Sequence, residues 1–292
     1  THFPELEVGI ADRNPDTGSD LPAGFNPAGL FLGAGYLAAV EYFDVIMKSP
    51  GIRLSQEDPQ LRGKTLLSQS RLFLERYRKQ TIGITGTKGK STTASLAFHL
   101  LKTSGRKSVL VGNIGRPPFD MIDDIDEKTH IVYELSANQL EQVLHSPHVA
   151  VLLNLFPEHL DFFGTVENYY LAKINIAGFQ EADDTLIYDD ENPALQSLIS
   201  GMNLPARKFH MSRPEAMFDE EFMAGLTKKT RIVGQHNRKN ALAAAMACKL
   251  SGVSDEEMLH NISSFKPLEH RLEYAGTYCG IRFFNDSIST IP

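Results

Sequence analysis

The residues best suited to chemistry in this sequence lie at 81–93, where a short apolar run passes through two glycines into Lys90 and Ser91. The run Thr81 to Thr85 predicts a buried strand, and the apolar spacing from Thr92 to Leu101 predicts an amphipathic helix. A glycine-rich turn between strand and helix directs backbone N–H groups at a phosphate, at the positive end of the helix dipole. The lysine can then reach the outer phosphates, and the serine hydroxyl can hold Mg²⁺.

This segment departs from the usual phosphate-binding pattern G-x-x-x-x-G-K-S, because Ile84 stands at the first glycine position. The pattern present is Gly86-x-x-Gly89-Lys90-Ser91. Glycine turns that bind nothing are common, but Lys-Ser-Thr at a strand-to-helix junction favours nucleotide binding. The residues predicted to contact ATP in this loop are Gly86, Thr87, Lys88, Gly89, Lys90, Ser91 and Thr92.

Length and composition limit the class of protein. A chain of 292 residues is expected to form two domains, and 42% hydrophobic with 22% charged residues is ordinary for a soluble globular protein. No apolar run approaches the roughly 18 residues of a membrane span. A net charge of −7 argues against a nucleic-acid surface. The two cysteines, Cys248 and Cys279, lie outside metal-ligand spacings and favour a reducing compartment, so we predict a cytoplasmic protein.

Strands that alternate with helices from Thr81 onward predict a mostly parallel sheet with helices on both faces. Residues 203–233 are predicted to be irregular, with a possible strand pair that ends at residues 231–233, and residues 271–284 are predicted to form a hairpin. The predicted strands of the parallel sheet are Thr81–Thr85, Ser108–Val111, His130–Leu135, Val149–Leu153 and Thr185–Tyr188. Polar residues follow these strands repeatedly, at the edge of an open α/β sheet where ligands bind, which favours an active site there.

The first 80 residues are predicted to belong to a nucleotide-binding α/β domain. A strand from Leu6 to Ala11 ends at Asp12 and Arg13, and an acidic residue in that position can accept a hydrogen bond from a ribose or base. A solvated loop carboxylate fits the sequence equally well. No glycine-rich turn precedes Leu6, so a Rossmann-like domain here would lack its opening strand and phosphate loop.

Three further polar residues have positions that a purely structural role would also explain. Lys173 lies in a helix predicted at Asn168–Phe179, where a lysine is normally a solvated charge. Asn237 and Asn240 precede a helix predicted at Ala241–Leu250 and could serve as its N-cap.

Taken together, these segments resemble one family, the Mur ligases of peptidoglycan precursor synthesis. They come in the family's order and cover residues 81–287 almost continuously. The matching segments are ITGTKGKST (84–92), GNIG (112–115), ELSANQLE (134–141), NLFPEHLDFF (154–163), LAKINI (171–176), GQHNRKNALAA (234–244), LEHRLE (268–273) and NDS (285–287). Within the family, the first and third of these and SPGI at 49–52 resemble the branch that adds glutamate.

The resemblance implies an α/β fold in several parts. Residues 1–79 would form an incomplete Rossmann-like UDP-binding domain, and residues 80–287 a central P-loop ATPase domain with a mostly parallel sheet plus a small antiparallel sheet. Residues 288–292 would begin a hinge to a C-terminal domain that binds glutamate and lies outside this sequence. The chain would then be a fragment, or the ordered part, of a longer monomeric protein, with no nucleic-acid partner and no membrane insertion.

The chemistry implied by the resemblance is ATP-dependent amide bond formation. ATP phosphorylates the carboxylate of UDP-N-acetylmuramoyl-L-alanine (UDP-MurNAc-L-Ala), and the amine of glutamate attacks the acyl phosphate. Several negative charges then lie side by side, for which lysine and two Mg²⁺ ions are natural countercharges.

The resemblance also assigns residues, with Lys90, His159 and Lys173 as the catalytic set. Lys90 would hold the β- and γ-phosphates, Ser91 and Glu134 one Mg²⁺, and His159 the second Mg²⁺ together with Lys173, which matches the family's carbamylated lysine. The nucleotide contacts would be Asn237 and Asn240 for adenine, Arg271 for the phosphates and Asp286 for the ribose, with His270 beside them. The contacts with the UDP-muramoyl substrate would be Asn113, Ser136, Gln139 and His159, with Asp12 and Arg13 at the uridine.

Two departures from the family pattern leave alternatives open. Asn138 replaces an aromatic residue, and Ile288 stands where a Lys-Ala-Thr-Asn run usually begins. A branch that adds L-glutamate, another Mur ligase and a folylpolyglutamate synthase-like enzyme remain alternatives, although the folate enzyme lacks a UDP-binding domain. A nucleotide-regulated binding module would not need a second metal site, and a purely structural α/β domain would need no site at all.

Overall fold

A computed structural model describes residues 6–230, 234–269, 273–285 and 287. The chain divides into two compact units, Thr1–Ser68 and Gln69–Pro292. This division falls earlier than the boundary predicted between residues 79 and 80, because a helix at Gln69–Tyr77 packs Phe73 into the core of the second unit.

The secondary structure consists of short strands, helices and 3₁₀ turns. The strands are β1 (Gly9–Asp12), β2 (Gly29–Leu32), β3 (Val45–Lys48), β4 (Thr65–Ser68), β5 (Thr81–Thr85), β6 (Ser108–Gly112), β7 (His130–Glu134), β8 (Val149–Leu152), β9 (Thr185–Tyr188), β10 (Arg207–His210), β11 (Glu273–Tyr278) and β12 (Ile281–Asn285). The α-helices are α1 (Gln69–Tyr77), α2 (Lys90–Thr103), α3 (Ala137–Leu140), α4 (Leu160–Phe163), α5 (Val166–Gly178), α6 (Pro193–Ser200), α7 (Glu220–Lys229), α8 (Gln235–Leu250) and α9 (Asp255–Asn261). The 3₁₀ turns are Pro15–Asp20, Gly33–Glu41, Pro59–Leu61, Arg78–Gln80, Pro118–Asp124, Pro214–Ala216 and Ile262–Ser264. In the described part of the chain, no helix combines the length and apolar character that crossing a membrane requires.

The first unit contains two parallel strand pairs, β1 with β2 and β3 with β4. Its small core comprises Val40, Leu54, Leu61 and Leu66. The buried Lys48 donates hydrogen bonds from Nζ to the carbonyls of Ile52 and Leu54, each at 3.0 Å. These bonds satisfy backbone acceptors of the turn that follows β3.

The second unit is built on a parallel sheet with the strand order β10-β9-β8-β5-β7-β6. The central strands are buried along their whole length, because helices cover both faces. Helices α2, α7, α8 and α9 contribute to the core on one face, and α1, α5 and α6 to the core on the other. The sequence therefore predicted the α/β class and the parallel sheet correctly.

The prediction of irregular structure over residues 203–233 is wrong for much of that range. β10 pairs with β9 as a parallel edge strand, and α7 follows it. The sequence carries the signals of α7: Asp219 accepts a hydrogen bond from Phe222 N at 2.7 Å as N-cap, and lysines occupy the last turn. The strand end predicted at residues 231–233 lies outside the described residues.

The predicted hairpin near the end of the chain is confirmed for residues 273–285. β11 and β12 pair antiparallel around a turn in which Cys279 and Gly280 have φ of 50° and 78°. Positive φ at both central residues matches the right-handed twist of the flanking strands. These strands form the small antiparallel sheet that the sequence predicts.

A buried ion network supports the amino edge of the parallel sheet. The carboxylate of Asp184 is fully buried and accepts hydrogen bonds from Arg78 and from His148 Nδ1, the latter at 2.8 Å. Lys79 lies 3.3 Å from the same carboxylate but is half exposed. The network connects the segment after α1 with the turn before β9.

Replacing Arg78 with methionine should lower the free energy of unfolding by about 3 kcal/mol, because it leaves the Asp184 carboxylate buried without its guanidinium partner. Urea unfolding followed by circular dichroism measures this effect. The matched control is Lys79→Met, which removes a half-exposed cation from the same carboxylate and should cost less than about 1 kcal/mol. Equal losses in the two variants would contradict the assignment of Arg78 as the principal partner.

Candidate active site

The glycine loop at residues 86–89 lies at the carboxyl end of β5, in the middle of the parallel sheet. The chain moves from β5 to β6 and β7 on one side, and then to β8 on the other side. The strand order therefore reverses at β5, and such a point is where open α/β sheets bind ligands.

The loop is shaped by glycine and by the side chain of Lys90. Gly89 has φ of 85° and is the N-cap of α2, a conformation that other residues rarely adopt. The ammonium of Lys90 donates to the carbonyls of Gly86 and Thr87, each at 3.0 Å. Ser91 is buried in the first turn of α2. The predicted strand–loop–helix arrangement is therefore present, and the helix begins two residues earlier than predicted.

A loop after β8 holds the main chain of the glycine loop in place. The side chain of Asn154 accepts from Lys88 N at 2.7 Å and donates to Lys88 O at 3.0 Å. In addition, Thr87 N donates to Asn154 O at 2.9 Å. The conformation of the glycine loop thus depends on residues far away in the sequence.

Thr87 extends this connection through its hydroxyl. Its Oγ1 accepts from Phe156 N at 2.9 Å and lies 3.3 Å from the phenolic oxygen of Tyr169 on α5. Burial is the main cause that raises the pKa of Tyr169 to about 12, so its hydroxyl stays protonated and able to donate. The glycine loop, the loop after β8 and α5 therefore form one connected cluster.

Glu134, the last residue of β7, lies beside the carboxyl end of β5 and is fully buried. Asn113 Nδ2 donates to its Oε1 at 3.1 Å. Among the described residues its Oε2 has no hydrogen-bond partner. A buried carboxylate oxygen without a partner is costly, and a hard divalent cation beside it removes that cost. Glu134 therefore fits the predicted role of Mg²⁺ ligand.

Lys173 is buried against the glycine loop rather than exposed to solvent. Its exposed fraction is 2%, and Nζ donates to Gly86 O at 2.9 Å. Nζ also lies 4.9 Å from the centre of the Tyr169 ring. Burial, followed by the nearby charge of Lys90, holds the pKa of Lys173 well below its usual value. The alternative of an ordinary solvated helix lysine is thereby excluded.

His159 presents its imidazole to solvent beside this cluster. It has φ of 55° as the N-cap of α4, and its side chain is 62% exposed. Nε2 lies 4.0 Å from Glu158 Oε2, and the ring centre lies 5.9 Å from that of Tyr169. The imidazole is therefore accessible to a ligand at the edge of the sheet.

Asn237 and Asn240 lie within α8, so neither is its N-cap; Gly234 occupies that position. Both are buried, and Asn240 Nδ2 donates to Asn237 Oδ1 at 3.0 Å. A Cβ atom added at Gly89 would lie only 2.3 Å from Asn240 Oδ1. Asn240 therefore lies against the glycine loop, and its hydrogen bond connects Asn237 to it.

The other predicted contact residues are described by their local hydrogen bonds and exposure. Ser136 and Gln139 form a reciprocal capping box on α3, with Gln139 Oε1 accepting from Ser136 N at 2.8 Å. Asp12 lies in the first unit, where its Oδ1 accepts from Asn14 N at 2.8 Å, and Arg13 beside it is exposed. The predicted nucleotide contacts His270, Arg271 and Asp286 lie outside the described residues.

Sequence reasoning did not assign a role to Asn154, Glu158 or Tyr169. Asn154 directly follows the strand predicted at Val149–Leu153, and this position at the ligand-binding edge of the sheet could have indicated a role. Tyr169 precedes Lys173 by one helical turn, which places the two side chains on the same face of α5. The importance of both residues depends on contacts with the glycine loop that the spacing alone does not predict.

A parallel α/β sheet with a lysine- and serine-bearing glycine loop at its switch point, and a buried carboxylate on the neighbouring strand, defines a P-loop nucleotide-binding protein. Residues 84–248 match the model of the Mur ligase middle domain, and the chain belongs to the Mur ligase family.

Curated relatives agree with this assignment. The chain is 32% identical over 276 residues to a UDP-N-acetylmuramoylalanine--D-glutamate ligase of Clostridium kluyveri, covering 90% of the chain and 60% of the relative. It is 34% identical to the enzyme of the same name from Oceanobacillus iheyensis, covering 90% of the chain and 62% of that relative. The chain thus spans about three fifths of the length of these relatives.

Solved structures share the fold. The MPL ligase from Neisseria meningitides superposes with a TM-score of 0.58 at 17% identity, covering 89% of this chain and 90% of that one. A MurF ligase from Thermotoga maritima in complex with ADP gives 0.53 at 18% identity, covering 83% and 67%. At these identities the likeness concerns the fold alone.

Proposed function

We propose that the chain carries the ATP-binding and acyl-activating part of a ligase that adds glutamate to UDP-MurNAc-L-Ala. ATP would be converted to ADP and phosphate through an acyl phosphate, in peptidoglycan precursor synthesis. The observation that carries this proposal is Lys173, a buried amine with a lowered pKa held 2.9 Å from a carbonyl of the glycine loop. A module that only bound nucleotide would have no use for such an amine.

The proposed chemistry follows from the charges at the site. A carboxylate is a poor acyl donor, so one of its oxygens must leave as phosphate. The γ-phosphate and the substrate carboxylate repel each other, and Lys90 on the glycine loop would offset that repulsion by binding the phosphate oxygens. The N–H groups at the start of α2 would bind the remaining phosphate oxygens.

We infer two divalent cations at this site, and the buried Glu134 oxygen that has no hydrogen-bond partner among the described residues supports the first of them. Ser91 and Glu134 would hold the Mg²⁺ that accompanies ATP, and His159 with carbamylated Lys173 would hold the second. When bound, these ions supply positive charge that stabilises the transferring phosphoryl group. Asn113, through its hydrogen bond to Glu134, would orient the carboxylate toward the first ion.

Carbamylation of Lys173 requires the neutral amine. The nitrogen lone pair would attack the carbon of CO₂, a C–N bond would form while one C–O π bond becomes an oxygen lone pair, and the amine would release a proton to solvent. The product is an anionic carbamate, which attracts a cation that an ammonium would repel. The lowered pKa of Lys173 raises the fraction of amine in the neutral form that this step needs.

The remaining contacts belong to the same proposal. Asn237 and Asn240 would bind adenine, with His270, Arg271 and Asp286 at the ribose and phosphates. Asn113, Ser136, Gln139 and His159 would face the UDP-muramoyl substrate, and Asp12 and Arg13 the uridine. The protein would act as a cytoplasmic monomer.

The test is ATP-dependent phosphate release by the full-length protein with UDP-MurNAc-L-Ala, comparing D-glutamate with L-glutamate. We expect release to require both the nucleotide-sugar and one glutamate isomer, and hydroxylamine to trap the acyl phosphate when glutamate is omitted. UDP-MurNAc without alanine is the matched control and should give no release. ADP binding without release under any of these conditions would favour a nucleotide-regulated binding module instead.

A further inference from the structure

An ion pair joins the glycine loop to the loop that carries His159. Lys88 Nζ lies 2.6 Å from Glu158 Oε1, with exposed side-chain fractions of 37% and 20%. Glu158 directly precedes His159, and its other oxygen faces the imidazole at 4.0 Å. The pair therefore lies between the proposed phosphate site and the proposed second cation site.

The main chain of Lys88 is held on both sides while its side chain reaches across to Glu158. Asn154 pairs with both the N–H and the carbonyl of Lys88. An exchange of partner by the ammonium therefore needs only side-chain rotation, with the loop backbone in place. Because a lysine side chain has several rotatable bonds and a compact charge, such an exchange costs little free energy.

A polyphosphate in the glycine loop would compete with Glu158 for this ammonium. Its several negative charges attract a cation more strongly than one carboxylate does, and the loop places Lys88 beside the region where the N–H groups of α2 converge. Glu158, once separated from Lys88, would keep its negative charge beside His159, whose Nε2 lies 4.0 Å from Glu158 Oε2.

We propose that Lys88 and Glu158 form a latch that a bound polyphosphate opens. Lys88 exchanges the Glu158 carboxylate for a phosphate oxygen, and Glu158 then strengthens the second cation site next to His159. Nucleotide binding thereby prepares the site that the acyl-transfer chemistry requires. No covalent bond forms or breaks, and the inference rests on the proposed function only for the identity of the ligands.

The latch predicts that Glu158 opposes nucleotide binding when no divalent cation is present. ADP affinity, measured by calorimetry in EDTA, should rise about fivefold in Glu158→Gln and fall about fivefold in Lys88→Met, the upper range for a partly exposed ion pair. In the Lys88→Met background, Glu158→Gln should change ADP affinity by less than about twofold. Without the Lys88 ammonium, the Glu158 carboxylate has no cation for which to compete with the phosphates.

The matched control is the pair Lys249 and Asp255, at 2.9 Å and similarly exposed on α8 and α9. Asp255→Asn should leave ADP affinity unchanged. An unchanged or reduced ADP affinity in Glu158→Gln, with an unchanged melting temperature, would overturn the latch while leaving the nucleotide site intact. Absence of ADP binding in the unaltered protein would instead reject the nucleotide site itself.

In the presence of ADP, Mn²⁺ monitored by electron paramagnetic resonance provides the second measurement. Glu158→Gln should weaken the second Mn²⁺ by about tenfold, because it removes a charge from that site. Equal Mn²⁺ affinity in the two proteins would overturn the role assigned to Glu158 after the latch opens.

Discussion

Replacing Lys90 with methionine should reduce ATP-dependent phosphate release by about a thousandfold, the scale expected when a charged donor to a transferring phosphoryl group is lost. The ammonium of Lys90 lies in the glycine loop, bonded at 3.0 Å to the carbonyls of Gly86 and Thr87. Methionine keeps much of the side-chain volume but cannot donate to a phosphate oxygen. Phosphate release and ADP affinity by calorimetry together measure the effect.

Lys102→Met is the matched control, because Lys102 lies on the same helix and its ammonium lies 5.6 Å from the centre of the Phe98 ring. That variant should release phosphate at the unaltered rate. Circular dichroism and thermal unfolding should show that both variants remain folded. Turnover within tenfold of the unaltered protein in Lys90→Met would remove Lys90 from the proposed phosphate site.

Replacing Lys173 with alanine should lower phosphate release by a similar factor of about a thousand, because it removes the proposed anionic ligand of the second cation. Alanine leaves a cavity next to the carbonyl of Gly86 and the ring of Tyr169. A short carboxylic acid such as formate or propionate can enter that space and supply a carboxylate in place of the carbamate. We therefore expect partial recovery of activity with rising carboxylate concentration.

Lys173→Met fills the same cavity and serves as the control, since it should be inactive and insensitive to added carboxylate. Nuclear magnetic resonance with ¹³C-bicarbonate observes the carbamate directly, independently of turnover. An active enzyme that shows no carbamate signal would contradict the assignment.

The carbamate should also depend on pH in a defined direction. The pKa of Lys173 is lowered in the folded protein, so the neutral amine is present above that pKa and is lost as pH falls through it. The carbamate signal should therefore decrease on acidification and return when pH and bicarbonate are restored.

Local patterns in the sequence were sufficient to predict the elements that carry the site. Turn residues, apolar runs and helical spacing act over a few neighbours, so β5, the glycine loop and α2 were predicted within about two residues. The short range of these patterns also explains why residues 207–229 were wrongly predicted to be irregular. There the edge strand β10 is short and partly exposed, and its position depends on β9 rather than on its own composition.

The amino-acid sequence by itself determined the P-loop sheet, the family and the residue types of the site, because these depend on short-range periodicity and motif order. Only the tertiary structure showed that Lys173 is buried against Gly86, that Asn154 holds Lys88, and that Glu158 pairs with the same lysine. These contacts join residues separated by three crossover connections, and the pairing of β5 with β8 and the packing of α5 set their geometry. Whether a side chain is buried depends on how the sheet and helices pack, and residue type alone does not determine it. Burial lowers the pKa of Lys173. Burial also encloses the Glu134 oxygen that has no hydrogen-bond partner among the described residues.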